Sequence, residues 1–169
     1  MQINEQQFLE FYDKFVTKIY RYVYFRVGSE QVAQDLTSEA FLKTWQYIKD
    51  GKEIGNLSAM TYQVCRNLIA DYFRNVADKL PISLDNVADS DLAVADSDLI
   101  TKAEAGLSLD AIKSRLRLIK EEYQELIIWY YIDDFEIYEI SQILGKSTGS
   151  VRTALSRAVK ALKGAIESD

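Results

Sequence analysis

The sequence predicts an all-α protein of two small helical domains joined by an acidic flexible linker. Three observations lead there. The 169 residues include one proline and seven glycines, and alternating β-branched runs are scarce, so helix breakers are few and strand patterns absent. Apolar residues recur at three- and four-residue spacing through both ends of the chain. The net charge of −6 is confined to the middle: residues 1–77 carry nine basic and nine acidic groups, residues 112–169 also nine and nine, and residues 78–111 two lysines against eight acids. The expected organisation is a domain over 1–77, a linker over 78–105 and a domain over 106–169.

The first predicted helix covers 5–26, where Phe8, Phe11, Phe15, Ile19, Tyr22 and Val23 share one face. Gly28 ends it and Ser29 caps the next. The second helix turns Val32, Leu36, Ala40, Phe41, Thr44, Trp45 and Ile48 inward and shows Asp35, Glu39 and Lys43 on another face. That face reads as a solvated surface or as a docking ridge for a protein. After the loop DGKEIGNLS, a third helix over 59–76 buries Cys65, Leu68, Ile69, Tyr72 and Val76. Its other stripe, Gln63, Arg66, Asn67, Ala70 and Arg74, contains no acid. Such a stripe suits phosphates or base edges, with Tyr62 and Phe73 offering rings for unpaired bases to stack on. Many solvent-facing helices look the same.

The middle segment, PISLDNVADSDLAVADSDLITKAEAG, has the one proline, no aromatic residue, and repeats V-A-D-S-D-L. This composition favours a solvated spacer. A polyanion that enters a basic channel or masks a basic surface is the alternative.

In the second domain, Leu109, Ile112, Leu116 and Ile119 mark a helix, and EEYQELIIWYYI (121–132) a strongly apolar one that Asp133 and Asp134 interrupt. A short helix over 136–144 turns Ile137, Ile140 and Leu144 inward. Gly145 and Lys146 make a turn, and Ser147 caps a last helix over 148–163. Short helix, glycine turn and capped helix form a helix-turn-helix. The stretch GKSTGSVRTALSRAVKALK has five basic residues and no acid. Its helix buries Val151, Ala154, Leu155, Ala158 and Leu162. The other face carries Thr148, Ser150, Arg152, Thr153, Ser156, Arg157, Lys160 and Lys163, with Lys146 just before it. Acids on such a face would meet DNA phosphates, so their exclusion reads as a local DNA surface on an acidic protein. A plain amphipathic helix with a basic C-terminal end is the structural alternative.

Several chemistries are excluded. There is no histidine and one cysteine, so an internal disulfide, a Cys/His metal site and histidine general bases are out of reach. Cys65 reads as a buried hydrophobe. No cofactor is expected. No signal segment or membrane-spanning apolar run is seen, which predicts a cytoplasmic chain without membrane insertion.

Three blocks, VAQDLTSEAFLKTW (32–45), YQVCRNLIADYFR (62–74) and EEYQELIIWYYIDDFEIYEISQILGKSTGSVRTALSRAVKAL (121–162), resemble a bacterial RNA polymerase sigma factor of the extracytoplasmic-function group of the sigma-70 family. The resemblance implies a non-enzymatic subunit that binds core RNA polymerase through its β′ clamp and β flap. The 32–45 helix would dock on the clamp, with Asp35, Glu39, Phe41 and Leu42 as contacts. The 59–76 helix would meet the −10 element as it opens, through Gln63, Arg66, Asn67 and Arg74, with the 50–58 loop capturing a flipped base. The last helix would read the −35 duplex, and the linker would run through the polymerase cleft. An anti-sigma factor is the implied regulator. Asp134 stands where the family often has glycine, Ser38 where it often has glutamine, and Met60 where a tryptophan is common. The alternative reading is a stand-alone helix-turn-helix regulator with an N-terminal sensing or dimerisation domain. A carboxylate enzyme built on Asp35 and Glu39 lacks a second acidic motif.

Overall fold

In a computed structural model, residues 2–79 and 109–167 are described. Among them are seven α-helices and no strand: α1 (Glu5–Val27), α2 (Glu30–Lys49), α3 (Leu57–Lys79), α4 (Leu109–Leu116), α5 (Glu121–Ile127), α6 (Ile137–Leu144) and α7 (Thr148–Glu167). The chain divides into two compact units, one built from α1–α3 and the other from α4–α7. Of the linker expected over 78–105, Asp78 and Lys79 belong to the end of α3, and residues 80–105 lie outside the described residues. No helix among the described residues is long and apolar enough to cross a membrane.

In the first unit, the Asn4 side chain accepts from the Gln7 backbone N–H at 2.8 Å while Gln7 Oε1 accepts from the Asn4 N–H at 3.0 Å. This capping box starts α1. Gly28, at φ 76°, ends it, a left-handed conformation that costs glycine little. Ser29 Oγ then caps α2 by accepting from Val32 N at 3.3 Å.

Helix α2 packs against both α1 and α3, so its buried positions are mostly small: Ala33, Thr37, Ala40 and Thr44, with Phe41. Val32, Leu36, Trp45 and Ile48, expected inside, are only half-buried. Two close neighbours select small side chains at the contact, which rotates the inner face away from the largest residues. The Thr44 hydroxyl donates back to Ala40 O at 2.8 Å and sits 3.3 Å from Thr61 Oγ1, tying α2 to the start of α3. Tyr22 and Tyr62, each fully buried, meet edge to face at 5.4 Å and 84°, a favoured aromatic geometry. Around Phe41, Tyr12 lies 4.8 Å away and Phe11 5.9 Å.

Asn56 sets the start of α3. Its Oδ1 accepts from Ala59 N at 3.0 Å and from Ser58 Oγ at 2.9 Å, so the helix begins two residues earlier than periodicity suggests, and it runs on to Lys79. Cys65 is buried, and burial pushes its thiol up from its ordinary pKa.

In the second unit, Glu121 and Glu122 occupy the first turn of α5, where the helix dipole favours anions. The apolar stretch 121–132 is not one uniform helix. From Ile128 to Ile132 it widens into a π-helical turn, with Asp133 N donating to Ile128 O at 2.8 Å and Phe135 N to Trp129 O at 2.8 Å. Asp134 follows at φ 61°, the left-handed region that aspartate tolerates better than most residues. That explains why a glycine suits this position. The core gathers Leu116, Ile128, Trp129, Ile140 and Ala158, each fully buried, with Val151 and Ile143 almost so.

Candidate nucleic-acid interface

Helix α6 starts where Glu139 Oε1 accepts from the Glu136 backbone N–H at 3.0 Å. Gly145, at φ 66°, stops it. The chain turns at once: Lys146 N donates to Ser141 O at 3.2 Å, Ser147 Oγ accepts from Ser150 N at 3.1 Å, and Val151 N donates to Ser147 O at 3.0 Å. These bonds set α7 at a fixed angle to α6, the geometry of a helix-turn-helix. The short helix buries Ile140 and Ile143, whereas Ile137 and Leu144 are half-buried.

Val151, Leu155, Ala158 and Leu162 anchor α7 in the core. Lys146, Ser150, Arg152, Thr153, Ser156, Arg157, Lys160 and Lys163 are all exposed, and Thr148 is half-buried. Thr153 turns its hydroxyl back onto Gly149 O at 3.1 Å. None of the five basic side chains forms an ion pair among the described residues. The face is therefore an uncompensated cationic strip from Lys146 to Lys163, and the helix itself continues four residues beyond the predicted end to Glu167. Oriented hydroxyls at its start and cations along it suit a duplex groove and its phosphates.

The outer stripe of α3 differs from expectation. Gln63, Asn67, Ala70 and Arg74 are exposed, and Arg66 is half-buried. The stripe itself holds no acid, but Asp71 flanks it and pairs with it: Arg74 Nη2 lies 2.6 Å from Asp71 Oδ1 in an exposed pair. Such a pair is worth about 0–1 kcal/mol, so it yields readily to a phosphate. Tyr62 cannot stack on a base, because it is fully buried against Tyr22. Phe73 is half-buried and meets Tyr72 at 5.3 Å.

On α2, Asp35, Glu39 and Leu42 stand outward, Leu42 with 56 % of its surface exposed, while Phe41 retains 4 %. Phe41 is a core residue whose ring supports the surface around it. Beside Leu42, a groove of about 340 Å³ is lined by Glu5, Phe8, Leu9, Tyr12, Phe41, Leu42 and Trp45. Periodicity missed this groove because Leu9 and Tyr12 fall outside the helical stripe yet border it in three dimensions. Tyr138, 62 % exposed at the start of α6, was likewise not singled out.

A model of sigma-70 region 2 matches residues 11–78, and one of sigma-70 region 4 matches residues 109–162.

The chain belongs to the sigma-70 family.

Region 2 thus coincides with the α1–α3 unit and region 4 with the helix-turn-helix unit. The ECF RNA polymerase sigma factor BldN of Streptomyces coelicolor is 30% identical over 165 residues, covering 94% of this chain and 60% of that protein. The ECF RNA polymerase sigma factor SigW of Bacillus subtilis is 26% identical, over 95% of this chain and 89% of SigW. These relatives put the chain in the extracytoplasmic-function (ECF) group. Among solved structures, the sigma factor RpoE of Bartonella quintana, determined with the anti-sigma factor NepR, superposes with a TM-score of 0.70 at 22% identity, covering 97% of this chain and 99% of RpoE. CnrH, determined with the cytosolic domain of CnrY, gives 0.67 at 18% identity, covering 98% of this chain and 91% of CnrH. Both share the two-domain helical fold.

Proposed function

We propose that this chain is a promoter-specificity subunit of a bacterial RNA polymerase, acting in the cytoplasm and making or breaking no covalent bond itself. The observation that carries the proposal is the pairing, in one sigma-70 chain, of a region 2 unit with a region 4 unit whose α7 shows four exposed basic side chains, with Lys146 just before it, and no acid before Glu167. In this reading residues 1–77 hold core polymerase and the −10 element, 78–105 link, and 106–169 hold the −35 element.

Helix α7 reads duplex: Ser150, Arg152, Thr153 and Ser156 face the groove, and Lys146, Arg157 and Lys160 hold phosphates, with Thr148 near the entry. Helix α3 meets the −10 element through Gln63, Arg66, Asn67 and Arg74. Unstacking a base costs a few kcal/mol, and stacking on protein returns about 1–3 kcal/mol per base, so opening depends on the loop between α2 and α3 as well as on α3. Asp35, Glu39 and Leu42 contact the β′ clamp, and Phe41 supports them from beneath. Region 4 contacts the β flap.

A lone helix-turn-helix with about five phosphate contacts binds weakly at physiological salt. Polymerase supplies the missing affinity by holding both units on one promoter. The match to region 2 speaks against a stand-alone regulator, which has no use for a polymerase-binding unit. RpoE and CnrH were each solved with a protein partner, that of RpoE an anti-sigma factor, and an anti-sigma factor is the regulator proposed here.

The test is run-off transcription on a genomic library with core polymerase, with and without this chain. New start sites sharing two spaced elements are the expected result. No chain-dependent start site, together with no retention on immobilised core polymerase, would refute the proposal.

A further inference from the structure

Two residues on α7 have features that the fold itself does not require. Gly149 lies in the first turn of the helix, and its φ is not left-handed. A Cβ built there meets nothing within 4 Å. Neither backbone geometry nor packing calls for a glycine, and alanine is the better helix former. Thr153, one turn later, is the second. Its hydroxyl donates to Gly149 O at 3.1 Å, so its one proton is committed to the backbone. Ser150 and Ser156 differ. Neither side-chain hydroxyl has a partner among the described residues, so both can donate or accept. With its oxygen turned back to the helix, the part of Thr153 left for contact is its methyl group.

Helix geometry puts both residues at the centre of the outer face. At about 100° per residue, Thr153 stands opposite the buried face of Val151, Leu155, Ala158 and Leu162. Gly149 lies one turn before it on the same side. Arg152 flanks Thr153 on one side and Arg157 on the other, both exposed. The N-terminal half of this cationic surface thus has an uncharged centre, a bare backbone turn followed by a methyl group.

The chemistry of that spot selects its ligand. In the major groove the apolar group on a base edge is the C5 methyl of thymine, and threonine methyl groups are among its usual contacts. A glycine beside it lets a base pair come close to the helix backbone. We propose that Thr153 is a specificity-determining residue for the upstream promoter element: its methyl group packs on the C5 methyl of one thymine, and Gly149 leaves the room for that thymine to reach it. The inference rests on the reading of α7 as the helix that meets duplex. It adds which base the centre of the face selects, and through which atoms.

The test uses assembled holoenzyme, core polymerase with the full chain, on a promoter found by run-off transcription. Each thymine of the upstream element is replaced in turn by uracil, which keeps every hydrogen-bonding group and lacks only the methyl. For the parent chain, one such replacement is expected to weaken binding about four-fold, the effect of one buried methyl group. Thr153→Ser keeps the hydroxyl and loses the methyl, so it is expected to bind the thymine and uracil duplexes alike. Thr153→Val loses the hydroxyl and keeps a methyl, so it is expected to retain the preference. Gly149→Ala is expected to raise the thermal midpoint of the free chain yet weaken promoter binding about five-fold or more, because its Cβ takes the space the thymine needs. A glycine of purely structural use would not move those two readouts in opposite directions. A preference kept by Thr153→Ser and lost by Thr153→Val overturns the inference, and so does Gly149→Ala binding as tightly as the parent. A chain that directs polymerase to no promoter overturns the functional reading and this inference with it. A chain that does so without any thymine effect overturns this inference alone.

Discussion

Arg152 and Arg157 offer the sharpest test of the α7 surface. Both are exposed and neither is held in an ion pair among the described residues. Replacing either by alanine, the best helix former, should leave stability within about 0.5 kcal/mol. The consequence for DNA is larger. Each phosphate neutralised on B-form DNA contributes about −0.9 to the slope of log affinity against log salt. If both arginines hold phosphates, the double variant has a slope shallower by about 1.8, and loses roughly twelve-fold less affinity than the parent between 50 and 200 mM salt. If Arg152 instead reads a base edge, the slope changes by only about 0.9, and discrimination at one base pair falls by about 1–3 kcal/mol. The assay is binding of assembled holoenzyme to promoter duplexes over a salt series, with single-base variants of the upstream element. An unchanged slope together with unchanged promoter choice in the double variant would show that this face does not touch DNA.

Three further outcomes follow from the geometry. Ser147→Ala removes the acceptor for Ser150 N and should cost about 1 kcal/mol, lowering the melting midpoint of the region 4 unit by about 4–8 °C by calorimetry. Asp134→Val places a β-branched side chain at φ 61° and should cost about 1–2 kcal/mol in chemical denaturation, whereas Asp134→Gly should stay within about 1 kcal/mol of the parent. Cys65 should react with a thiol reagent only after unfolding. Burial raises its folded-state pKa, so above about pH 8.5 the unfolded chain loses this proton while the folded chain keeps it. The stability owed to the neutral thiol is complete below that pH and should fall by about 1.4 kcal/mol per pH unit above it, which denaturation of the parent and of Cys65→Ala across pH 7–10 would reveal.

The sequence by itself determined the helical class, the helix-turn-helix and the cationic face of α7, because these depend on local spacing. Capping by Ser29 and Ser147, the glycine stops at Gly28 and Gly145, and the anchors Val151, Leu155 and Leu162 each act within a turn or two of the chain. The absence of histidine needed no structure at all. Only the tertiary structure decided which side of a crowded helix is truly inside. Tyr62 looked available for stacking and is locked against Tyr22, forty residues away. Phe41 and Leu42 are neighbours in sequence, yet one is core and the other surface. The π turn at Ile128–Ile132 carries no periodic signal. The physical reason is that periodicity reports one helix against an average environment, whereas burial, pairing and the grooves between helices are set by what the neighbouring helix places opposite each residue.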